Sequence, residues 1–219
     1  MHYCIIIPVY NEIDTVLPLL EELEHYAKQD NEIVLVDDGS DDGTEKVLEN
    51  CEFIYHLRLN RNQGKGLAIQ AALNYTKYKK VIIFDGDLEV HPRDIKRFMS
   101  LDKKGIRCII GARNQLNTYS FSILTIANFF VTLIFNIFHY SNQRDVLCCA
   151  KAFFIEDINI KNIKEKGFGI DIELLMTLIQ NVENIQRIHI NYKRRSYKQG
   201  KKIRLMDSLD ILRTAIRFI

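Results

Sequence analysis

The sequence predicts an α/β fold with a mostly parallel, Rossmann-like central sheet and helices on both faces. Short runs rich in Ile and Val alternate with stretches of helical period, and a cluster of Asp, Asn or Gly closes most of the runs. No repeat or low-complexity linker interrupts the pattern. Strand-like segments cover 3–9, 32–37, 53–59, 80–85 and 107–111. Ile13, Val16, Leu17, Leu20, Leu23 and Ala27 form the apolar stripe of a first helix, and a second opens after Gly64 and Gly66. Such regular alternation implies right-handed crossovers between parallel strands. In the second half, 146–154 reads as a short strand or loop, 171–179 as a helix and 185–192 as a strand. Met206, Leu209, Ile211, Leu212, Ala215, Ile216 and Ile219 mark a closing helix.

The 219 residues are 47% hydrophobic with three prolines, enough apolar material for one domain to bury a core without disulfides or a structural metal. Cys4, Cys51, Cys108, Cys148 and Cys149 are odd in number and lack CxxC spacing, which marks them as reduced core thiols. Met1 runs directly into a strand, so the expectation is a protein that folds in the cytoplasm. The net charge of +2 conceals a split. Residues 193–219 carry nine Lys or Arg against Asp207 and Asp210, a balance of +7, leaving 21 basic and 26 acidic residues, −5, in the body. Aromatic residues are not interleaved in that tail beyond Tyr192 and Tyr197, and the acidic body opposes a polyanion, so nucleic acid is not an expected partner.

Ligands of open α/β sheets bind outside the carboxyl ends of the strands, and here those ends are acidic. The first strand leads into Pro8, Tyr10, Asn11 and Glu12, the second into DDGSDDGT (37–44), and the fourth into DGDLE (85–89). Carboxylates on one rim repel each other and any phosphate unless a divalent cation reverses the local field. Asp85 and Asp87, with Glu89 as a third oxygen donor, suit Mg²⁺ or Mn²⁺. The plainer reading is that these acids cap a helix starting near Pro92. In 37–44, Gly39 and Gly43 suit positive φ, and Ser40 or Asp41 can cap the next helix. The EF-hand spacing of a calcium loop is missing. Asn60–Gly66 (NRNQGKG) would let backbone N–H groups approach a phosphate at a helix start, with Lys65 adding charge, though as an ordinary glycine turn it needs no ligand.

No Asp, Glu, Lys or Arg occurs from Asn114 to Gln143. Within 120–138, Thr125, Asn128, Thr132 and Asn136 line one helical face opposite Phe121, Leu124, Phe129, Leu133 and Ile137. The segment is long enough to span a bilayer, but this amphipathy reads instead as a buried core helix or one lying at the membrane interface.

Taken in order, IIIPVYNE, VDDGSDDGT, NQGKG, FDGDLE, GARN, GFGIDIELL and RSYKQGKKI resemble glycosyltransferase family 2, specifically its polyprenyl-phosphate, dolichol-phosphate mannosyltransferase-like branch. The resemblance covers nearly the whole chain. It implies a GT-A fold, with 1–112 as the nucleotide-sugar half and 113–219 as the acceptor half. It also implies inverting transfer from a UDP- or GDP-linked nucleotide diphosphate sugar to a polyprenyl phosphate, by a protein peripherally attached to the cytoplasmic membrane face. By it, Pro8, Tyr10, Glu12, Asp37, Lys65 and Asp85 serve the nucleotide sugar, and Asp85, Asp87 and Glu89 the metal. Arg113 matches an arginine near the donor or acceptor phosphate, and Arg195, Lys201 and Lys202 match a basic loop at the acceptor. Asp87, Arg113 and Asp145 are the implied catalytic set. Asp145 opens a segment that usually reads DxxSGF, whereas this chain has DVLCCAKAF, which bears on sugar choice and acceptor geometry.

A lipid phosphate is already anionic and needs cationic positioning rather than a base. A saccharide hydroxyl acceptor would require a carboxylate base, with Asp145, Asp171 and Glu173 as candidates. Two other classes are weaker fits. FDGDLE resembles the nucleophile motif of haloacid dehalogenase phosphatases but has Leu88 and Glu89 where a small hydroxyl residue belongs. A non-catalytic nucleotide-sugar-binding protein would account for the altered Asp145 segment.

Overall fold

The computed structural model describes residues 2–113, 123–196, 199–202 and 207–217. Met1, Asn114, Phe121, Tyr197, Met206 and Ile219, named above, lie outside the described residues. The elements run β1 (Cys4–Val9), α1 (Ile13–Ala27), β2 (Glu32–Asp37), α2 (Thr44–Glu49), β3 (Tyr55–Arg58), α3 (Lys65–Tyr75), β4 (Lys80–Ile83), β5 (Cys108–Arg113), α4 (Ile123–Phe138), β6 (Lys151–Phe154), α5 (Ile170–Asn181), β7 (Ile185–Ile190) and α6 (Asp207–Arg217). The turn after DGDLE becomes a 3₁₀ helix, Pro92–Phe98, rather than an α-helix.

The seven strands form one mixed sheet in the order β3-β2-β1-β4-β6-β5-β7. β1 pairs in parallel with β2 and β4, β2 with β3, and β5 with β7. The exception is β6, antiparallel to both β4 and β5. Its apolar run is legible as a strand, but its direction depends on where α4 delivers the chain. One core layer packs Ile6, Val34 and Val81 against Ala68, Leu73, Phe135 and Leu175. The other packs Ile5, Ile7 and Leu35 against Leu19, Leu23 and Phe98. Helices therefore cover both faces, as the unbroken apolar runs of β1 and β2 require. All five cysteines are free, four of them buried.

One local expectation is corrected. Neither Ser40 nor Asp41 caps α2. Asp42 accepts from the Thr44 N–H at 2.9 Å, while the Ser40 hydroxyl accepts from the Asn11 N–H and so ties the first two strand-end loops together. The inner face of α4 mixes polar and apolar side chains: Asn128 and Thr132 are buried beside Val131 and Phe135, while Phe129, Phe130 and Ile137 are exposed.

Candidate active site

The ends of β1, β2 and β4 bring Glu12, Asp37, Asp85, Asp87 and Glu89 to one rim, as parallel pairing in register demands. Beyond β4, Asp85 and Asp87 line a cavity of about 20 Å³ shared with Glu89, Arg113, Cys149 and Tyr192. That is room for one water-sized guest. Lys65 Nζ lies 2.9 Å from Asp85 Oδ1 and 2.9 Å from Asp171 Oδ2, so it clamps β4 to α5. Burial works against this ammonium, but the two carboxylates outweigh it and hold its pKa well above the usual lysine value. Asp85 is driven the other way: Lys65 overcomes the effect of burial and keeps its pKa low. Asp87 gains no such partner. Burial, then Asp85 and Glu89, push it up to about 7, and Arg195 Nη2 at 3.5 Å only partly offsets them.

The expected set of three metal carboxylates is not assembled. Glu89 accepts from Tyr192 Oη at 2.6 Å, the Arg195 N–H at 2.8 Å and Lys201 Nζ at 2.6 Å. Among the described residues no three His, Cys, Asp or Glu side chains are grouped to hold a metal. The physical reason is the tail, whose cations draw Glu89 into their own network. Asp85 and Asp87 still offer hard oxygens beside a small cavity, and like-charge strain on Asp87 is what a cation would relieve. A pair of carboxylates suffices for Mg²⁺ when substrate phosphates complete its shell.

The basic segment lies over this rim rather than apart from it. Arg195 makes a two-pronged pair with Glu12 at 2.6 and 2.8 Å, Lys202 Nζ donates to the Asn11 carbonyl at 2.7 Å, and the same ammonium stands 5.7 Å from the Tyr10 ring centre. The residues expected at the acceptor thus contact those expected at the nucleotide. Opposite charge on the two segments predicts an attraction, but contacts spanning more than 100 positions are invisible to local pattern.

Arg113, the last residue of β5, forms a second two-pronged pair with Asp145, Nε to Oδ2 at 2.6 Å and Nη2 to Oδ1 at 2.8 Å. Asp145 also accepts from the Arg113 and Leu147 N–H groups and from Asn128 Nδ2 on α4, each at 3.2 Å. Burial opposes its ionisation, yet Arg113 prevails and holds its pKa below the usual carboxylate range. A carboxylate so engaged is a poor proton acceptor. Asp171 is tied to Lys65, and Glu173 accepts from the Lys164 and Glu165 N–H groups and from Arg217. Asp145 and Glu173 are thus engaged through both oxygens, whereas Asp171 is held by Lys65 through Oδ2 and its buried Oδ1 has no hydrogen-bond partner among the described residues. Sequence reasoning missed Tyr192, whose ring lies 5.1 Å under the Arg113 guanidinium, and the role of Asn128. The polar spacing in the uncharged segment was the available signal for Asn128.

NRNQGKG does not present a phosphate cradle. Asp38 takes the N–H groups of Gln63 and Gly64 at 2.7 and 2.8 Å, and the Lys166 carbonyl takes those of Gly66 and Leu67. Gly64 has φ +101°, and a Cβ there would sit 2.5 Å from the Lys166 carbonyl, so its glycine serves close packing. On the opposite flank, Asp37 is fully buried and uses Oδ1 to accept from the Ser40 N–H at 2.8 Å.

With the acidic strand-end rim and the sheet order on the page, comparison with known proteins places the chain in a family. The model of glycosyl transferase family 2 matches residues 4–155. The chain belongs to that family and is a glycosyltransferase. It is 30% identical to the uncharacterized protein MJ0544 of Methanocaldococcus jannaschii, over 98% of this chain and 97% of that one. It is 41% identical to an undecaprenyl-phosphate 4-deoxy-4-formamido-L-arabinose transferase of Pseudomonas fluorescens over 46% of this chain, but spans only 32% of that protein. With glycosyltransferase AglJ of Haloferax volcanii the identity is 26%, over 78% of this chain and 56% of that protein. Among solved structures, glucosyl-3-phosphoglycerate synthase of Mycobacterium tuberculosis, in complex with Mn²⁺, UDP and its product, superposes with a TM-score of 0.76 at 15% identity, over 98% of this chain and 78% of that one. Mannosyl-3-phosphoglycerate synthase of Rubrobacter xylanophilus gives 0.77 at 18%, over 99% and 72%. These confirm the GT-A fold.

Proposed function

We propose that this glycosyltransferase moves a sugar, with inversion, from a UDP- or GDP-linked nucleotide diphosphate sugar to a polyprenyl phosphate at the cytoplasmic membrane surface. The observation that carries the reading is the state of the acids: Asp145 and Glu173 are taken up by several partners and Asp171 is ion-paired through Oδ2 with Lys65, while Arg113 is held firmly beside the cavity. A site rich in positioned cations and without a disengaged base among these three suits an acceptor oxygen that is already anionic. Pro8, Tyr10, Glu12 and Asp37 border the nucleotide. Arg113, with Asp145 fixing its plane, orients the acceptor phosphate, and the fixed guanidinium costs no reordering when the phosphate arrives. Arg195, Lys201 and Lys202 exchange their contacts with Glu12, Glu89 and the Asn11 carbonyl for phosphate oxygens as the substrates enter. Lys65 keeps Asp85 ionised and in place.

Asp85 and Asp87 would hold Mg²⁺ or Mn²⁺, whose chemistry there is to neutralise charge on the diphosphate leaving group. The curated relatives that act on undecaprenyl phosphate support the acceptor class, and the solved neighbour with UDP and Mn²⁺ supports the donor and cation classes. The test is incubation with UDP- and GDP-sugars, Mg²⁺ or Mn²⁺ and a short polyprenyl phosphate. A glycolipid is expected; no turnover with any common donor overturns the proposal.

A further inference from the structure

We infer that Tyr192 is a positioning residue: its ring backs the Arg113 guanidinium, and its hydroxyl ties that ring to the acidic loop that follows β4. The inference rests on the reading above in which Arg113 orients the acceptor phosphate, and it names the side chain that sets the plane of that arginine.

Tyr192 lies two positions beyond the end of β7, where the chain is anchored almost entirely on Glu89 and its neighbour. It forms an antiparallel bridge with Val90. The Lys193 N–H donates to the Glu89 carbonyl at 2.7 Å and the Arg195 N–H to Glu89 Oε1 at 2.8 Å. The phenol donates to the other carboxylate oxygen of the same residue, Oε2, at 2.6 Å. The ring also packs on the core layer that contains Val90 and Ile190. A side chain fixed at its backbone, ring and hydroxyl is locked in one rotamer and can hold another group in place.

What this fixed ring meets is positive charge. The Arg113 guanidinium stands 5.1 Å from the ring centre and that of Arg194 5.9 Å. A ring face attracts a cation, and more strongly where water is displaced. Asp145 takes Nε and Nη2 of Arg113, leaving Nη1 without a hydrogen-bond partner among the described residues. A planar group held along one edge can still tilt about it, and the ring limits that tilt. Nη1 is thereby kept in a set direction for a phosphate oxygen. Arg113 and Tyr192 line the cavity together with Asp85 and Asp87. Packing alone does not require the half-buried hydroxyl to choose Glu89, two residues past Asp87, over water. The choice joins the acidic loop and the acceptor arginine through one side chain.

Steady-state transfer to a short prenyl phosphate tests this. Tyr192→Leu is expected to raise the acceptor KM about tenfold and leave the donor KM within about twofold, whereas Tyr192→Phe, which keeps the ring, stays within about threefold of wild type for both. In an Arg113→Lys background the leucine substitution is expected to change the acceptor KM by less than about twofold, because it acts through that arginine. Tyr192→Met, similarly apolar, takes its place if the leucine variant does not fold. An equal rise in both KM values, a phenylalanine variant as impaired as the leucine one, or full additivity with Arg113→Lys overturns the inference. Phenylglyoxal labelling mapped by mass spectrometry reads the contact without turnover: in Tyr192→Leu, Arg113 is expected to react about fivefold faster than in wild type, with exposed Arg213 unchanged. An unaltered rate at Arg113 overturns the inference as well. Faster labelling in a protein that transfers to no acceptor supports the positioning contact and contradicts the transfer reading.

Discussion

Asp87 is a half-buried acid whose surroundings disfavour its charge at a cost to stability. Its pKa, raised by burial and by Asp85 and Glu89, stands above the unfolded carboxylate value. The folded state therefore retains a proton that the unfolded chain has lost, and the contribution of this group to stability falls as pH rises from about 4 to about 7. Above that range the full penalty is present. Asp87→Asn removes it. In the absence of divalent metal at pH 8 the variant is expected to melt roughly 3–6 °C above wild type, on the order of 1–2 kcal/mol, with the difference shrinking toward pH 4. Transfer activity is expected to fall by about a hundredfold or more, since one of the two proposed cation ligands is lost. Equal melting temperatures at pH 8 would remove the electrostatic argument. The residue pair DxD was legible in DGDLE. That Glu89 would instead serve Tyr192, Arg195 and Lys201 was not, because those partners lie more than 100 positions away.

At the scale of elements, Lys65 at the start of α3 is the clasp between β4 and α5. Removing a buried cation leaves two carboxylates facing each other, so Lys65→Met is expected to destabilise by about 3–5 kcal/mol in urea unfolding. Adding Asp171→Asn should recover part of that loss, giving a coupling energy of at least about 1 kcal/mol. Strict additivity of the two substitutions would show that the bridge contributes little. The strands β1 and β2 and the helix α1 were readable because period and turn chemistry agree over their whole length. For β6 the composition marked a strand but the antiparallel direction did not follow, since direction is settled by the chain path through α4. In α4 the two faces were visible in the sequence. Which face turns inward depends on Asp145 and Arg113, supplied by other elements.

For the whole molecule, the division of charge acquires a structural meaning. The acidic body and the basic tail meet at one site through Glu12–Arg195 and Glu89–Lys201, both at 2.6 Å. Separate donor and acceptor regions were the natural reading of a charge split along the chain, and folding superposes them. The proposed accepting atom is a phosphate oxygen, positioned by cations and not activated by a base. The most direct measurement offers the enzyme a prenyl phosphate, the matching prenyl alcohol and a soluble saccharide, each with the same labelled nucleotide sugar and Mn²⁺, and determines the anomeric configuration of the product by NMR. A glycosyl phosphate of inverted configuration is expected from the prenyl phosphate alone. Transfer to the alcohol or the saccharide at a comparable rate, or retention of configuration, would contradict it.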